Sequence, residues 1–284
     1  MRRTAMVVLA CTFTLVAGGA LAACGSSKQD SSVAANCKPK HEFTTIKRGT
    51  LSISTVPTLP YFDFDATRQQ MEGVEGDVLT AIARMECLDT AVQVLSGSAG
   101  LQAVISNRAD VSAGGWYKTD ERAKVVGLST PMYYDFVVLV SRDGVARLSD
   151  LKGKKVGTVQ GSLFVEPAKQ VLGSDAVKQY QLADAVFSDL AAGRIDAAIF
   201  GSAQAGYLVK QKGADELQVV RAEPEQEFAP SLEAGTVVLP YPKGNPAIGR
   251  ALDADIRELR ANGEMQRILD RWGLSNPNNF ELES

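Results

Sequence analysis

The feature that most constrains this chain is an abrupt change of backbone pattern within residues 112–134. The segment reads SAGGWYKTDERAKVVGLSTPMYY, and a short alternating apolar run over 109–113 leads into it. The chain then breaks at Gly114 and Gly115 and restarts at Thr119, an N-cap residue type followed by acidic charge in a first helical turn. The pattern predicts a strand, a glycine turn and a helix in direct succession.

A turn of this kind can hold a small anion. Backbone N–H groups at a glycine bend and the positive end of a helix favour negative charge, and Arg122 lies within one turn of the predicted helix start. The planar guanidinium of arginine can bind a carboxylate through two hydrogen bonds. The alternative is a plain strand–turn–helix connection with a surface arginine, because a glycine pair alone has little specificity.

The block GGWYKTDERAKVVGLSTPMYY resembles the hallmark block of the family-3 extracellular solute-binding proteins, the amino-acid receptors of ABC importers. Further matching blocks follow in order, from about Gly49 to Leu274: PTLPYFDF at 57–64, GVEGD at 73–77, LSDLKGKKVG at 148–157 and PKGN at 242–245. The resemblance implies an α/β fold of two doubly wound lobes joined by a two-segment hinge, the periplasmic-binding-protein type II fold. The alternation of strands and helices along the chain favours the same class.

The order of these blocks implies a division of the chain in which the second lobe is inserted into the first. The expected parts are a signal peptide over 1–23, a linker over 24–43, a first lobe over 44–134 and 238–284, and a second lobe over 135–237, with the hinge near 133–138 and 234–239.

The N-terminus has the features of a targeting segment, because Arg2 and Arg3 precede an apolar run over 5–16. Leu-Ala-Ala-Cys at 21–24 resembles a bacterial lipobox, in which the cysteine is lipidated and becomes the first residue of the mature protein. This interpretation predicts a protein held at the outer face of the bacterial cell membrane by a lipid on Cys24 alone. Two alternatives remain open, an ordinary signal peptide and an uncleaved anchor.

Two cysteines remain for the folded domain, since Cys11 lies in the predicted signal peptide and Cys24 takes the lipid. A compartment outside the cytoplasm allows Cys37 and Cys87 to form one disulfide, which would join the N-terminal arm to the first lobe. The alternative is a pair of buried free thiols.

By resemblance, the ligand binds in the cleft between the lobes, which close over it. Arg122 is expected to pair with a ligand carboxylate, and the backbone near the glycine turn to supply further donors. The full set of expected ligand contacts is Leu59, Tyr61, Gly114, Gly115, Trp116, Tyr117 and Arg122 from the first lobe and Gln160, Gly161, Ser162 and Gly201 from the other side. For Gln160 and Ser162 the alternative is a solvated turn.

Departures from the family pattern bear on the identity of the ligand. Where amino-acid binders carry the acid that receives the ligand's α-ammonium, this chain has Gly201, and where they carry an aromatic wall it has Leu59. An ammonium that is buried without an anionic or aromatic partner is strongly unfavourable. The candidate replacement acids are Glu75, Asp63 and Glu233.

An aromatic slot is the other way to accommodate the ligand. Trp116, Tyr117 and Tyr61 could line it, and such a slot suits a flatter or more apolar ligand or a cation held against aromatic faces.

Charge and composition exclude several function classes. The net charge of −3, which becomes −5 without residues 1–23, offers no basic patch for nucleic acid. The sequence has one histidine, His41, and shows no Cys–His pair, metal-ligand cluster or nucleophile elbow, so we predict no catalytic residue, cofactor or metal.

The sequence therefore predicts a monomeric receptor for a small carboxylate-bearing solute, with a polar amino acid or a derivative favoured. The receptor would deliver that solute to the membrane permease of an ABC importer. Two alternatives remain, a ligand sensor for a membrane partner and a dehydratase-like enzyme on the same fold.

Overall fold

The computed structural model describes residues 33–34, 36–95 and 99–274. The predicted signal peptide, Cys24 and the first part of the predicted linker lie outside the described residues. Within the described ranges no helix combines the length and the apolar character that a membrane span requires.

The strands in the described part of the chain are mostly short. In chain order they are β1 (Thr50–Thr55), β2 (Asp63–Asp65), β3 (Gln70–Glu72), β4 (Asp89–Val94), β5 (Val111–Ala113), β6 (Gly127–Leu128), β7 (Tyr133–Asp135), β8 (Val137–Ser141), β9 (Val156–Val159), β10 (Val177–Tyr180), β11 (Ala197–Gly201), β12 (Gln218–Arg221), β13 (Gly235–Val237) and β14 (Pro240–Tyr241).

The α-helices of the same ranges alternate with these strands. They are α1 (Val74–Met85), α2 (Ala99–Ile105), α3 (Asp120–Val125), α4 (Val165–Leu172), α5 (Ala183–Ala191), α6 (Ser202–Lys212), α7 (Pro246–Ala261) and α8 (Glu264–Arg271).

The first lobe is built on a parallel three-stranded sheet with the strand order β4-β1-β5. Apolar side chains of the central strand, Leu51 and Ile53, are buried in a core that α1 also lines, through Val78, Leu79 and Ile82. Helices α7 and α8 pack on α1 and share that core. The last helices of the described chain therefore complete the lobe that the first strand begins.

The second lobe is built on a five-stranded sheet with the order β10-β9-β11-β8-β12. Strands β10, β9 and β11 are parallel, whereas β8 runs antiparallel to both β11 and β12. Every residue of β8 is buried, because helices cover both faces of the sheet and form a separate core on each. This is the doubly wound arrangement that the resemblance implied.

Two chain segments connect the lobes, and they pair with each other. Strand β7 runs antiparallel to β13, with Asp135 opposite Gly235 and Tyr133 opposite Val237. The isolated bridge between Tyr117 and Val237 attaches the loop after β5 to the same ribbon. The fold is thus two doubly wound lobes with a two-segment hinge, while the residue limits given above for the lobes stay predictions.

The predicted disulfide is confirmed. Cys37 and Cys87 are bonded, with their Cα atoms 5.8 Å apart. The end of the predicted linker lies against the first lobe, since Phe43 packs on its core and Lys40 forms an ion pair with Glu258 of α7. The N-terminal arm is therefore held to the first lobe by side-chain contacts as well as by the disulfide.

Removal of the disulfide should lower the free energy of unfolding by about 4 kcal/mol, because the cross-link spans 50 residues and restricts the unfolded chain. Urea unfolding of the double variant Cys37→Ser/Cys87→Ser, beside the oxidised wild type, measures this loss. Wild type unfolded in the presence of a reductant is the control and should match the variant. Equal stability of variant and oxidised wild type would contradict the prediction.

Candidate functional site

The glycine turn after β5 is held from inside the first lobe by Glu75. This side chain, from the second residue of α1, is fully buried. Its carboxylate accepts the N–H of Gly114 at 2.6 Å, the N–H of Gly115 at 2.8 Å and the hydroxyl of Tyr133 at 3.3 Å. Both glycines have positive φ, which glycine adopts at little cost. The backbone N–H groups of Gly114 and Gly115, which we predicted to bind the ligand, therefore bind the carboxylate of Glu75.

Arg122 is positioned by the helix that follows the turn. The predicted N-cap is present, since Thr119 Oγ1 accepts the N–H of Arg122 at 3.2 Å. The guanidinium carbon lies 5.0 Å from the ring centre of Trp116, and Nη1 donates to the carbonyl of Tyr117. Trp116 is itself fixed, because its indole N–H donates to Ser112 Oγ at 2.9 Å.

The charge of Arg122 is not neutralised by the chain around it. The side chain is half-buried, and in the described ranges no carboxylate oxygen comes within 4.0 Å of its guanidinium. Burial lowers the pKa of this guanidinium below its usual value. A partly desolvated cation without an acidic partner is a suitable place for an anionic ligand.

Asp135 is an acid at the point where the two lobes meet. It is fully buried, and its Oδ1 accepts the hydroxyl of Ser202 at 2.6 Å and the N–H of Ala203 at 3.1 Å. Its Oδ2 accepts the hydroxyl of Tyr117 at 2.8 Å and that of Tyr61. We call these five residues the Asp135 network. Its members come from β7, from the loops after β1 and β5, and from the start of α6.

Burial dominates the electrostatics of this network. Burial raises the pKa of Asp135 above its usual value, while its hydrogen bonds act in the opposite direction. Burial, followed by the charge of Asp135, raises the pKa of Tyr61 and of Tyr117 well above the usual range. Both phenols are therefore neutral donors. The N-terminus of α6 adds a favourable dipole on the other side of the carboxylate.

Gly201 ends β11 beside the Asp135 network. It pairs with Val137, two residues after Asp135 along the chain. A Cβ at position 201 would lie within 3.0 Å of Asp135 Oδ2 and of the hydroxyls of Tyr61 and Tyr117, closer than real Cβ atoms come. The carboxylate of Asp135 thus fills the space into which a side chain at 201 would project.

The predicted contacts from the second lobe form a turn after β9. The amide oxygen of Gln160 accepts a hydrogen bond from the side chain of Gln181, and Ser162 Oγ lies 3.3 Å from Thr158 Oγ1. Gly161 between them is exposed and has a φ of 77°. Gln160 is exposed as well, so this turn lies open to solvent.

Contact between the lobes is made nearby through aromatic rings. The ring of Tyr117 meets that of Phe164 edge-on, with the ring centres 6.4 Å apart. Tyr117 packs against cores of both lobes and so bridges them.

Comparison with known proteins identifies the family. Residues 51–275 match the profile of the bacterial extracellular solute-binding proteins, family 3. The chain belongs to this family. The fold follows from the same relationship, because the similar solved structures are type II periplasmic binding proteins.

Curated relatives of this family-3 protein are amino-acid receptors. It is 28% identical over 231 residues to the L-cystine-binding protein TcyJ of Escherichia coli, covering 80% of this chain and 83% of the relative. It is also 28% identical over 207 residues to the arginine-binding extracellular protein ArtP of Bacillus subtilis, covering 70% and 77%. Such relatives are solute-binding proteins of transporters, and this chain is likewise a binding protein rather than an enzyme.

Two similar solved structures contain bound arginine. An ancestral arginine-binding protein bound to arginine superposes with a TM-score of 0.69 at 27% identity, over 79% of this chain and 98% of that one. The substrate-binding protein AbpA of Streptococcus pneumoniae bound to L-arginine gives a TM-score of 0.69 at 26% identity, over 80% and 96%.

The structure groups only part of the residues that sequence analysis selected for the site of this family-3 protein. Tyr61, Tyr117 and Gly201 meet at Asp135, and Arg122 and Trp116 are adjacent to Tyr117. The remaining predicted contacts are more peripheral or already engaged. Gly114 and Gly115 are bound to Glu75, Gln160, Gly161 and Ser162 form the turn after β9, and Leu59 is half-buried before a cis peptide bond to Pro60.

The acids proposed to replace the missing one have other neighbours. Glu75 binds the glycine turn, the carboxylate of Asp63 accepts the N–H of Phe64 at 2.7 Å, and Glu233 is exposed. Sequence reasoning missed Asp135, whose signal was present: it is a lone acid within the otherwise apolar stretch MYYDFVVLV over 132–140.

A side chain at position 201 should disrupt the Asp135 network. Gly201→Ala should lower the free energy of unfolding by about 1–3 kcal/mol, because the new methyl group displaces buried hydrogen-bonding groups. Urea unfolding measures the loss. The matched control is Gly206→Ala in α6, where the new Cβ meets nothing within 4 Å and should raise stability by about 1 kcal/mol. Equal effects of the two substitutions would contradict the role of Gly201.

Glu75 should make stability depend on pH. Burial raises its pKa from 4.5 to about 7, while the N–H groups of the glycine turn act in the opposite direction. Because the folded state then holds a proton that the unfolded state releases, the contribution is complete below about pH 4.5 and is lost as the pH rises through 7.

The change in unfolding free energy between about pH 5 and about pH 8 should be larger in wild type than in Glu75→Gln by about 2.5 kcal/mol. Subtraction of the two profiles cancels the other buried acids, which both proteins share. Parallel profiles would show that Glu75 has the same pKa in the folded and unfolded chain.

Proposed function

We propose that this family-3 protein is the substrate-binding lipoprotein of an ABC importer and that it binds a small carboxylate-bearing solute by closure of its lobes. A polar amino acid or a derivative is the proposed ligand. Cystine and arginine receptors among its relatives support that choice. A lipid on Cys24, a membrane permease as partner and a monomeric state are parts of the same proposal.

The observation that carries the proposal is the unneutralised guanidinium of Arg122. It lies against the ring of Trp116 and is fixed to the carbonyl of Tyr117, so its orientation is set before any ligand arrives. A ligand carboxylate that reaches it would gain charge-assisted hydrogen bonds without competition from an internal acid. Pre-organisation of this kind reduces the entropy lost on binding.

The opposite charge of an amino acid could be received at the Asp135 network. Tyr61 and Tyr117 donate their protons to Asp135 and keep oxygen lone pairs and ring faces for a cation. The carboxylate behind them would stabilise that cation at short range. This arrangement would replace the acid that amino-acid binders carry at the position of Gly201.

Isothermal titration with the common amino acids, followed by keto acids and betaines, tests the proposal. With the tightest ligand found, Arg122→Ala should weaken binding about 100-fold, because removal of one partner of a buried charge pair costs a few kcal/mol. The matched control is Arg142→Ala, which removes a guanidinium that donates to the carbonyls of Leu190 and Ala191 in the second lobe. That variant should bind like wild type.

Several outcomes would overturn parts of the proposal. Binding that is unchanged by Arg122→Ala would remove the carboxylate role of this residue. A ligand without a carboxylate, such as a simple quaternary amine, would do the same. Binding of keto acids alone would retain the carboxylate but exclude an amino acid as the ligand.

A further inference from the structure

Three ionisable residues outside the cleft meet where the N-terminal arm crosses the first lobe. His41 lies in the arm, Glu86 follows the last residue of α1, and Asp255 lies in the middle of α7. Each offers a ligand atom within 4.8 Å of the other two. His41 Nδ1 is 2.6 Å from Glu86 Oε1 and 3.6 Å from Asp255 Oδ1. We call these residues the arm cluster.

The two carboxylates of the arm cluster are buried, and they differ in the hydrogen bonds that they accept. Neither side chain is exposed to solvent. Glu86 accepts the backbone N–H of His41 at 3.0 Å, but neither carboxylate oxygen of Asp255 accepts a hydrogen bond within the described part of the chain. The nearby ammonium of Lys40 is paired with Glu258 instead. Two adjacent buried carboxylates need a cation or a shared proton between them, because each would otherwise remain desolvated and repelled by the other.

We propose that His41, Glu86 and Asp255 form a zinc-binding site. One imidazole nitrogen and two carboxylate oxygens are a ligand set that Zn²⁺ accepts, whereas Ca²⁺ and Mg²⁺ prefer oxygen ligands alone. Two carboxylates and a neutral imidazole also balance the charge of a divalent ion.

The spacing of the arm cluster is compatible with that geometry. Tetrahedral ligands about 2.0 Å from zinc lie about 3.3 Å from one another. The separation of 3.6 Å between His41 and Asp255 is close to this value, and rotation of the Glu86 side chain would widen the shorter separation of 2.6 Å. His41 keeps 34% of its side chain exposed, which gives the ion a route in and a water molecule as its fourth ligand.

The site would fasten the arm at a second point. Glu86 immediately precedes Cys87, whose disulfide to Cys37 already holds the arm four residues before His41. Zinc would therefore connect the arm, α1 and α7, whereas the disulfide connects only the arm and the end of α1.

Titration of metal-free protein, with any purification tag removed, tests the site. Calorimetry with ZnCl₂ should show one ion per chain with a dissociation constant in the micromolar range or tighter. Asp255→Asn and His41→Gln should each weaken zinc binding at least about 100-fold. The matched control Glu42→Gln removes an exposed carboxylate next to His41 in the arm and should change the affinity by less than about twofold.

A second measurement uses the single histidine of the sequence. One equivalent of Zn²⁺ should shift the Nδ1 signal of His41 in nitrogen-15 NMR, and Asp255→Asn should abolish this shift.

Three results would overturn the proposal. These are zinc binding that both ligand variants leave unchanged, binding of Ca²⁺ or Mg²⁺ in preference to zinc, and an Nδ1 signal of His41 that zinc leaves unchanged. A metal-free Asp255→Asn protein that unfolds at or above the wild-type temperature verifies that any loss of zinc binding is not a loss of fold.

Discussion

One buried carboxylate, that of Asp135, accepts hydrogen bonds from three segments that are distant in the sequence. Tyr61 and Tyr117 reach it from the loops of the first lobe, and Ser202 and Ala203 from the start of α6 in the second. A charge so far from water is tolerated only if donors surround it. This requirement explains why Tyr61 and Tyr117 direct their hydroxyls at Asp135. It also explains the glycine at position 201, where a side chain would displace these groups.

A second buried acid of the first lobe is satisfied by the same principle. Glu75 holds the glycine turn through backbone N–H groups rather than side chains. The two internal acids are thus occupied by protein donors, whereas the guanidinium of Arg122 has no acidic partner among the described residues. The charge without a partner in the protein is the positive charge of Arg122. We therefore propose that the ligand binds there through a carboxylate.

Local patterns predicted much of this architecture, and long-range contacts account for what they missed. Strand β1, helix α1 and the Thr119 cap have clear periodicity or capping residues, and the cysteine count led to the disulfide. Strands β10 (VKQY) and β12 (QVVR) expose polar residues and lack a regular apolar alternation, so no pattern marked them. Arg122 was identifiable from its neighbours, but the role of Asp135 depends on hydrogen bonds that span 67 and 74 residues.

The ribbon of β7 and β13 has a mechanical consequence. Because the two connections are hydrogen-bonded to each other as antiparallel strands, neither can move independently of the other without breaking backbone hydrogen bonds. Asp135, the residue opposite Gly235, lies in that ribbon, so the acid that binds donors from both lobes is held by the same pairing. Any rotation of one lobe against the other would therefore act on the ribbon as a unit, and on the Asp135 network with it.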